Sequence, residues 1–150
     1  MLKALFIGAL FGISANAAAT EKEKYLLPVY VSADCDNDTV GQRLVYKIRE
    51  ALRRSASMKL ADTYSESIVQ SSIVCLSPKE SDRGVITRYS HAVTFMNSKG
   101  TYDYQLTHGV GTCGSDRVDS CADTIVASID SAIVEARAQI SNGKFKPFDP

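Results

Sequence analysis

ITRYSHAVTFM (residues 86–96) and TYDYQLTHGVG (residues 101–111), joined by Asn97-Ser98-Lys99-Gly100, form the stretch whose reading decides the fold. Both runs alternate apolar and polar residues with the period of two that belongs to a half-buried strand. Between them lies a Gly-ended polar turn, so they read as an antiparallel hairpin. The register that best matches the two patterns sets Met96 against Thr101, Phe95 against Tyr102 and Val93 against Tyr104. It also sets His91 against Leu106 and Tyr89 against His108. The opposite face then carries Arg88, Ser90, Ala92, Thr94, Asp103, Gln105 and Thr107. A slip of one residue would exchange the two faces, so their agreement is the argument for the pairing. One covered face and one wet face mark an antiparallel sheet in an α+β arrangement.

Upstream, Leu27, Val29, Val31, Ala33 and Cys35 share one parity, which predicts a strand over residues 26–34. Asp36-Asn37-Asp38 reads as a turn, and Thr39 with Gln42 three residues on has capping-box spacing. The helix that follows runs to about Ser55, with Val40, Leu44, Ile48, Ala51 and Leu52 at helical spacing. Residues 58–62 suggest a short strand. Residues 67–76 are apolar on both parities, as in a central strand. Ser77 to Gly84 is a polar loop. A second helix is expected from Ser115 or Asp116 to about Ile140, buried through Val118, Ala122, Ile125, Ile129, Ala132, Ile133, Ala136 and Ile140. Asn142-Gly143 would end it, leaving a loose tail with Pro147 and Pro150. The expectation is a single α+β domain over residues 20–150. It is a two-layer sandwich: a mixed, mostly antiparallel sheet of about five strands with two helices on one face.

Residues 1–19 read as an export signal. Lys3 is followed by an uncharged apolar stretch from Ala4, and Ser14-Ala15-Asn16-Ala17 supplies the small residues of a cleavage site after Ala17, or after Ala19. The uncharged run is shorter than the roughly 20 residues that span a bilayer. Cleaving residues 1–17 from the 150 leaves 133, enough for one buried core. Of 17 basic residues only Lys3 is lost, so 16 face 17 acidic ones, a net charge of −1. That balance argues against a nucleic-acid or membrane-surface binder. Cys35, Cys75, Cys113 and Cys121 in an exported chain imply two disulfides. Cys113 and Cys121 flank a helix start and can bridge locally, which leaves Cys35 to Cys75. Closing that loop contributes roughly 3–4 kcal/mol by restricting the unfolded chain. A periplasmic or secreted location is expected.

The chemistry-bearing residues do not assemble into a reaction centre. His91 and His108 are diagonal neighbours in this register, on a face with no carboxylate to orient either ring, which argues against a Ser-His-Asp arrangement. Two His alone make a poor zinc site. Paired cysteines offer no thiolate. Gly109-Val110-Gly111-Thr112-Cys113-Gly114 lacks the Lys of a phosphate loop and reads as a strand end turning into the last helix. No catalytic residue, metal or cofactor is expected. Asn37-Asp38-Thr39 matches a glycosylation sequon, but a capping role accounts for the same residues.

Charge is uneven along the chain. Arg43, Lys47, Arg49, Arg53, Arg54 and Lys59 crowd residues 41–60, while Asp116, Asp119, Asp123, Asp130 and Glu135 crowd residues 115–140. Either the two helices pair across facing edges, or the basic helix meets an acidic partner. At 100° per residue, Tyr46 falls at the middle of the first helix's outward side, surrounded by Arg43, Arg49, Glu50 and Arg53. Tyr and Arg are the residue types enriched at binding hot spots.

The strand Leu27–Ala33, the helix Leu44-Val45-Tyr46-Lys47-Ile48-Arg49-Glu50-Ala51-Leu52-Arg53-Arg54-Ser55 and the strand Met58-Lys59-Leu60-Ala61-Asp62 resemble a motif of small bacterial envelope domains. The N-terminal domain of the TolB translocation protein and the penicillin-binding-protein activator lipoproteins are similar. The resemblance covers residues 27–76 and implies an architecture rather than any functional residue. The chain departs from those activators in lacking their lipobox and in the two disulfides expected of it, which their domains do not need. The expected function is an exported, non-catalytic protein-binding protein of the envelope, an assembly accessory or an inhibitor or immunity protein. Its partner would be another envelope or extracellular protein. The alternative is a small-ligand carrier that binds between the helices and the aromatic sheet face, near Tyr89 and Tyr104.

Overall fold

The computed structural model describes residues 26–76, 79–96 and 102–141. The export segment, the turn at 97–100 and the tail after Ser141 lie outside the described residues. In chain order the elements are β1 (Leu27–Asp34), α1 (Thr39–Arg53), β2 (Met58–Leu60), β3 (Val69–Leu76), β4 (Ile86–Met96), β5 (Tyr102–Gly114) and α2 (Val118–Ser141). They form one five-stranded sheet in the order β2-β1-β3-β4-β5. β1 is parallel to both β2 and β3, while β3–β4 and β4–β5 are antiparallel. β3 lies at the centre of the sheet, as its apolar residues on both parities required.

The core lies between the helices and one sheet face. Val29, Val31, Val69, Ile73 and Val93 point inward from the strands, and Leu44, Ile48, Leu52, Ile125 and Ile129 descend from the helices to meet them. The other face is polar at its centre. Gln70 Nε2 donates to Ser32 Oγ at 2.8 Å and to Ser72 Oγ at 3.0 Å, linking β1 to β3.

α1 starts one residue earlier than the capping-box reading implies. Asp38, not Thr39, is the N-cap, and its Oδ1 accepts from Gly41 N at 2.9 Å. Asn37, in the left-handed region at φ 64°, turns the chain so that Asp38 reaches the helix end. Asp38 is 2 % exposed, and its other carboxylate oxygen accepts from Thr87 Oγ1 at 2.5 Å. Thr39 is exposed. Asp38 prevails because it can cap α1 and satisfy a fully buried hydroxyl of β4 together.

Both disulfides form as expected, Cys35–Cys75 and Cys113–Cys121, with Cα separations of 4.7 and 6.2 Å. They sit at the same end of the sheet: Cys113 faces Thr87, which binds Asp38, three residues beyond Cys35. A Cβ on Gly41 would lie 2.5 Å from Cys75 Sγ, so α1 can approach the first bridge only with glycine there.

The hairpin register differs from the expected one. Tyr89 faces Gly111 and His91 faces Gly109, three residues beyond their predicted partners. One residue of slip is already present at the turn end, where Met96 faces Tyr102. The other two enter as irregularities between Val93 and Thr94 and between Phe95 and Met96, which leave Leu106 and Asp103 without partners on β4. Each is an extra residue on β5 of the kind that defines a β-bulge. The inner face of β5 is therefore Thr107, Gly109, Gly111 and Cys113, not an apolar series. The rings of Tyr89 and His91 fill the space above the two glycines: a Cβ would lie 2.6 Å from Tyr89 Oη at Gly111 and 2.6 Å from His91 Cε1 at Gly109. These glycines stand inside the strand and do not end it.

Candidate protein-binding surface

α1 is held by its apolar stripe, with Val40, Leu44, Val45, Ile48 and Leu52 buried. The opposite side presents Arg43, Tyr46, Arg49, Glu50 and Arg53, all within about 60° of Tyr46 at helical spacing. Tyr46 is 57 % exposed. The charges around it are partly committed within the chain. Arg53 and Glu50 form an ion pair at 2.8 Å. Arg49 Nη2 donates to Val31 O at 3.1 Å. Val29 O points to the β2 side, where Ala61 N reaches it. Val31 O, two residues on, lies beyond the end of β2, and Arg49 takes the place of the missing strand. Arg49 is thus a structural tie as well as a surface charge, which helical spacing alone could not reveal.

The facing edges of the two helices do pair. Lys47 Nζ lies 2.8 Å from Asp119 Oδ1. The hydrogen bond from Lys47 holds the Asp119 carboxyl below its ordinary range, and the charges of Lys47, Arg43 and Arg54 act in the same direction. Further along, Ser57 Oγ donates to Asp130 Oδ1 at 2.6 Å. A surface cleft of about 560 Å³ lies there, with Arg54, Asp123 and Asp130 on its walls. The basic and acidic runs therefore serve the contact between the helices, at least at Lys47.

The two histidines lie on opposite faces, contrary to the register expected from the sequence. His91 points into the helix-covered layer, and both ring nitrogens are buried without a hydrogen-bond partner. Burial holds its pKa below the ordinary value, with a smaller contribution from His108. Burial likewise pushes the Tyr89 phenol up. His108 faces Ala92 on the outer face, and its Nδ1 lies 2.7 Å from Gln105 Nε2. Among the described residues no group of three or more His, Cys, Asp or Glu is placed to hold a metal ion. All four cysteines are bridged.

Among the described residues, the core side chains named above pack between the helices and the sheet. Tyr89 and Tyr104 do not share a cavity wall: Tyr104 faces Phe95, six residues along β4 from Tyr89, or about 20 Å. The cleft beside Tyr89, about 270 Å³, opens toward Arg117, Ser120 and Thr124 of the α2 start. Two features were missed by sequence reasoning. The Asp38–Thr87 bond spans 49 residues and left no local trace. The glycine cradle did leave one: Tyr89 and His91 two apart, opposite Gly109 and Gly111 two apart.

No family model and no curated protein matches the chain. Among solved structures it is similar to the PelC dodecamer from Paraburkholderia phytofirmans, with 15% identity over 72% of this chain and 89% of that one and a TM-score of 0.42. A candidate lipoprotein from Caulobacter crescentus CB15 gives 10% identity over 72% and 91%, with a TM-score of 0.43. Lipoprotein B from Nitrosomonas europaea gives 17% over 79% and 84%, with a TM-score of 0.33. Likeness at that level carries nothing about function across to this chain. Among the described residues no helix is long and apolar enough to cross a membrane.

Proposed function

We propose that this is an exported, non-catalytic protein of the envelope that works by binding another envelope or extracellular protein through the outer face of α1. The observation that carries the reading is Tyr46, more than half exposed at the centre of the outer face of a helix whose opposite side is buried in the core. A Tyr on a rigid helix supplies large apolar area at small entropic cost, and Arg43 beside it supplies a planar donor. The two disulfides suit an oxidising compartment. The reading draws also on the resemblance of residues 27–76 to envelope domains. His91, whose ring nitrogens are buried without a hydrogen-bond partner, is a core residue in this account.

The test is affinity capture from the native envelope with the oxidised protein as bait, followed by titration of the captured protein. Tyr46→Ala and Arg43→Glu are compared with the parent after equal urea midpoints have been shown. Arg43 is preferred to Arg49, whose loss would also free the Val31 carbonyl. Each variant is expected to weaken binding about tenfold or more. Partners that bind both as tightly as the parent would make this face an ordinary solvated helix surface.

A further inference from the structure

β5 is the edge of the sheet, and among the described residues nothing pairs with its outer side. Its hydrogen-bonding phase follows from one bond. Ser115 N donates to Val85 O at 2.8 Å, one step beyond the Ile86–Gly114 pair. Bonded and non-bonded pairs alternate along an antiparallel ladder. The residues bonded to β4 are therefore Cys113, Gly111, Gly109 and Thr107. His108, Val110, Thr112 and Gly114 turn their N–H and C=O groups to the open edge.

Natural edges are protected by charge, proline, bulges or shortness. This one has none of these over Thr107–Gly114. Both bulges lie at the other end of the hairpin, and the register is regular from Ile86–Gly114 to Val93–Thr107. From Tyr104 to Ser115 the chain has no Lys, Arg, Asp, Glu or Pro. The bulky apolar side chain in the middle, Val110, is 87 % exposed.

We infer that this edge is where a second copy of the chain adds, antiparallel, to continue the sheet about a two-fold axis near Gly111. That pairing sets Val110 opposite Thr112 of the second copy and His108 opposite its Gly114, with outward-facing donors and acceptors in phase. A two-fold contact needs a self-complementary surface. An uncharged strand provides one, because no like charges meet. α2 fits the same axis. The Cys113–Cys121 bridge sets the level of α2 against β5. With about 1.5 Å per helix residue and about 3.3 Å per strand residue, the level of Gly111 falls near Ile125 and Val126. On the β5 flank of α2 the residues Ser120, Thr124 and Ser128, at helical spacing, are small enough for close approach of the two copies.

The experiment is sedimentation equilibrium of the oxidised full chain across micromolar to submillimolar concentrations, with hydrogen exchange read at Val110 and Thr112. Val110→Lys places like charges across the axis. Thr112→Pro removes an outward N–H that β4 does not use. The expected result is a parent dimer with slow exchange at both amides. Each variant should dissociate at least about tenfold more readily, with the urea midpoint of the dissociated chain unchanged. A parent that stays monomeric overturns the inference, and slow exchange at those amides in such a monomer would assign the edge to the chain's own residues. A dimer that survives both substitutions overturns it too, since its interface must lie elsewhere.

Discussion

Replacing Asp38 by alanine removes two bonds made by one buried carboxylate. The first caps α1 through Gly41 N, and loss of a cap costs about 1 kcal/mol. The second accepts the Thr87 hydroxyl, which is 0 % exposed and has no route to water. Leaving a buried hydroxyl without a partner costs about 1–3 kcal/mol. Together Asp38→Ala should lose about 3 kcal/mol. With a urea dependence of about 1.5 kcal/mol per M, the midpoint falls by roughly 2 M. Asp38→Asn keeps both a cap acceptor and a partner for Thr87, and should lose less than half as much. Thr39→Ala, at the exposed position favoured by the capping-box spacing, should lose under about 0.5 kcal/mol. The decisive measurement is the double-mutant cycle with Thr87→Val, by urea denaturation of oxidised protein. A coupling of at least about 1 kcal/mol is expected. Additivity within about 0.5 kcal/mol would refute the reasoning, as would a Thr39→Ala loss equal to that of Asp38→Ala.

Gly111→Ala should cost about 1–3 kcal/mol, because the new Cβ lies 2.6 Å from the Tyr89 hydroxyl and the ring must move. In a Tyr89→Ala background the same substitution should cost almost nothing in a urea melt, and an undiminished cost would show that the ring does not occupy that space. His91 gives a pH dependence of definite sign. Burial holds its folded pKa below the ordinary 6.5, so the unfolded chain takes up a proton first as pH falls. The stability present above pH 6.5 is lost as pH drops through the folded pKa and then levels off, with a slope of at most about 1.4 kcal/mol per pH unit for one proton. His91→Phe, which keeps a ring over Gly109, should remove that slope from stability measured between pH 7.5 and 5; an unchanged slope would assign the effect to other groups.

The sequence by itself determined the elements, the α+β class and the disulfide pairing, because each rests on short-range pattern. Period two marks β1 and β4, an apolar run on both parities marks β3, period 3.6 marks α1 and α2, and the eight-residue spacing of Cys113 and Cys121 leaves the other bridge by elimination. It also placed Tyr46 outward, since the buried stripe of α1 fixes the opposite side. Only the tertiary structure decided how β5 slides along β4. Matching apolar to apolar assumes that each inward position carries its own side chain, whereas Tyr89 and His91 fill the layer above Gly109 and Gly111 from the neighbouring strand. That slip puts His108 on the outer face and leaves His91 alone in the layer beneath the helices. Only the tertiary structure, too, chose Asp38 over Thr39, since the choice depends on a hydroxyl that is remote in sequence and adjacent only after β4 has docked. The physical reason is the same in both cases: a period records which way a residue points, and what it meets there is supplied by another part of the chain.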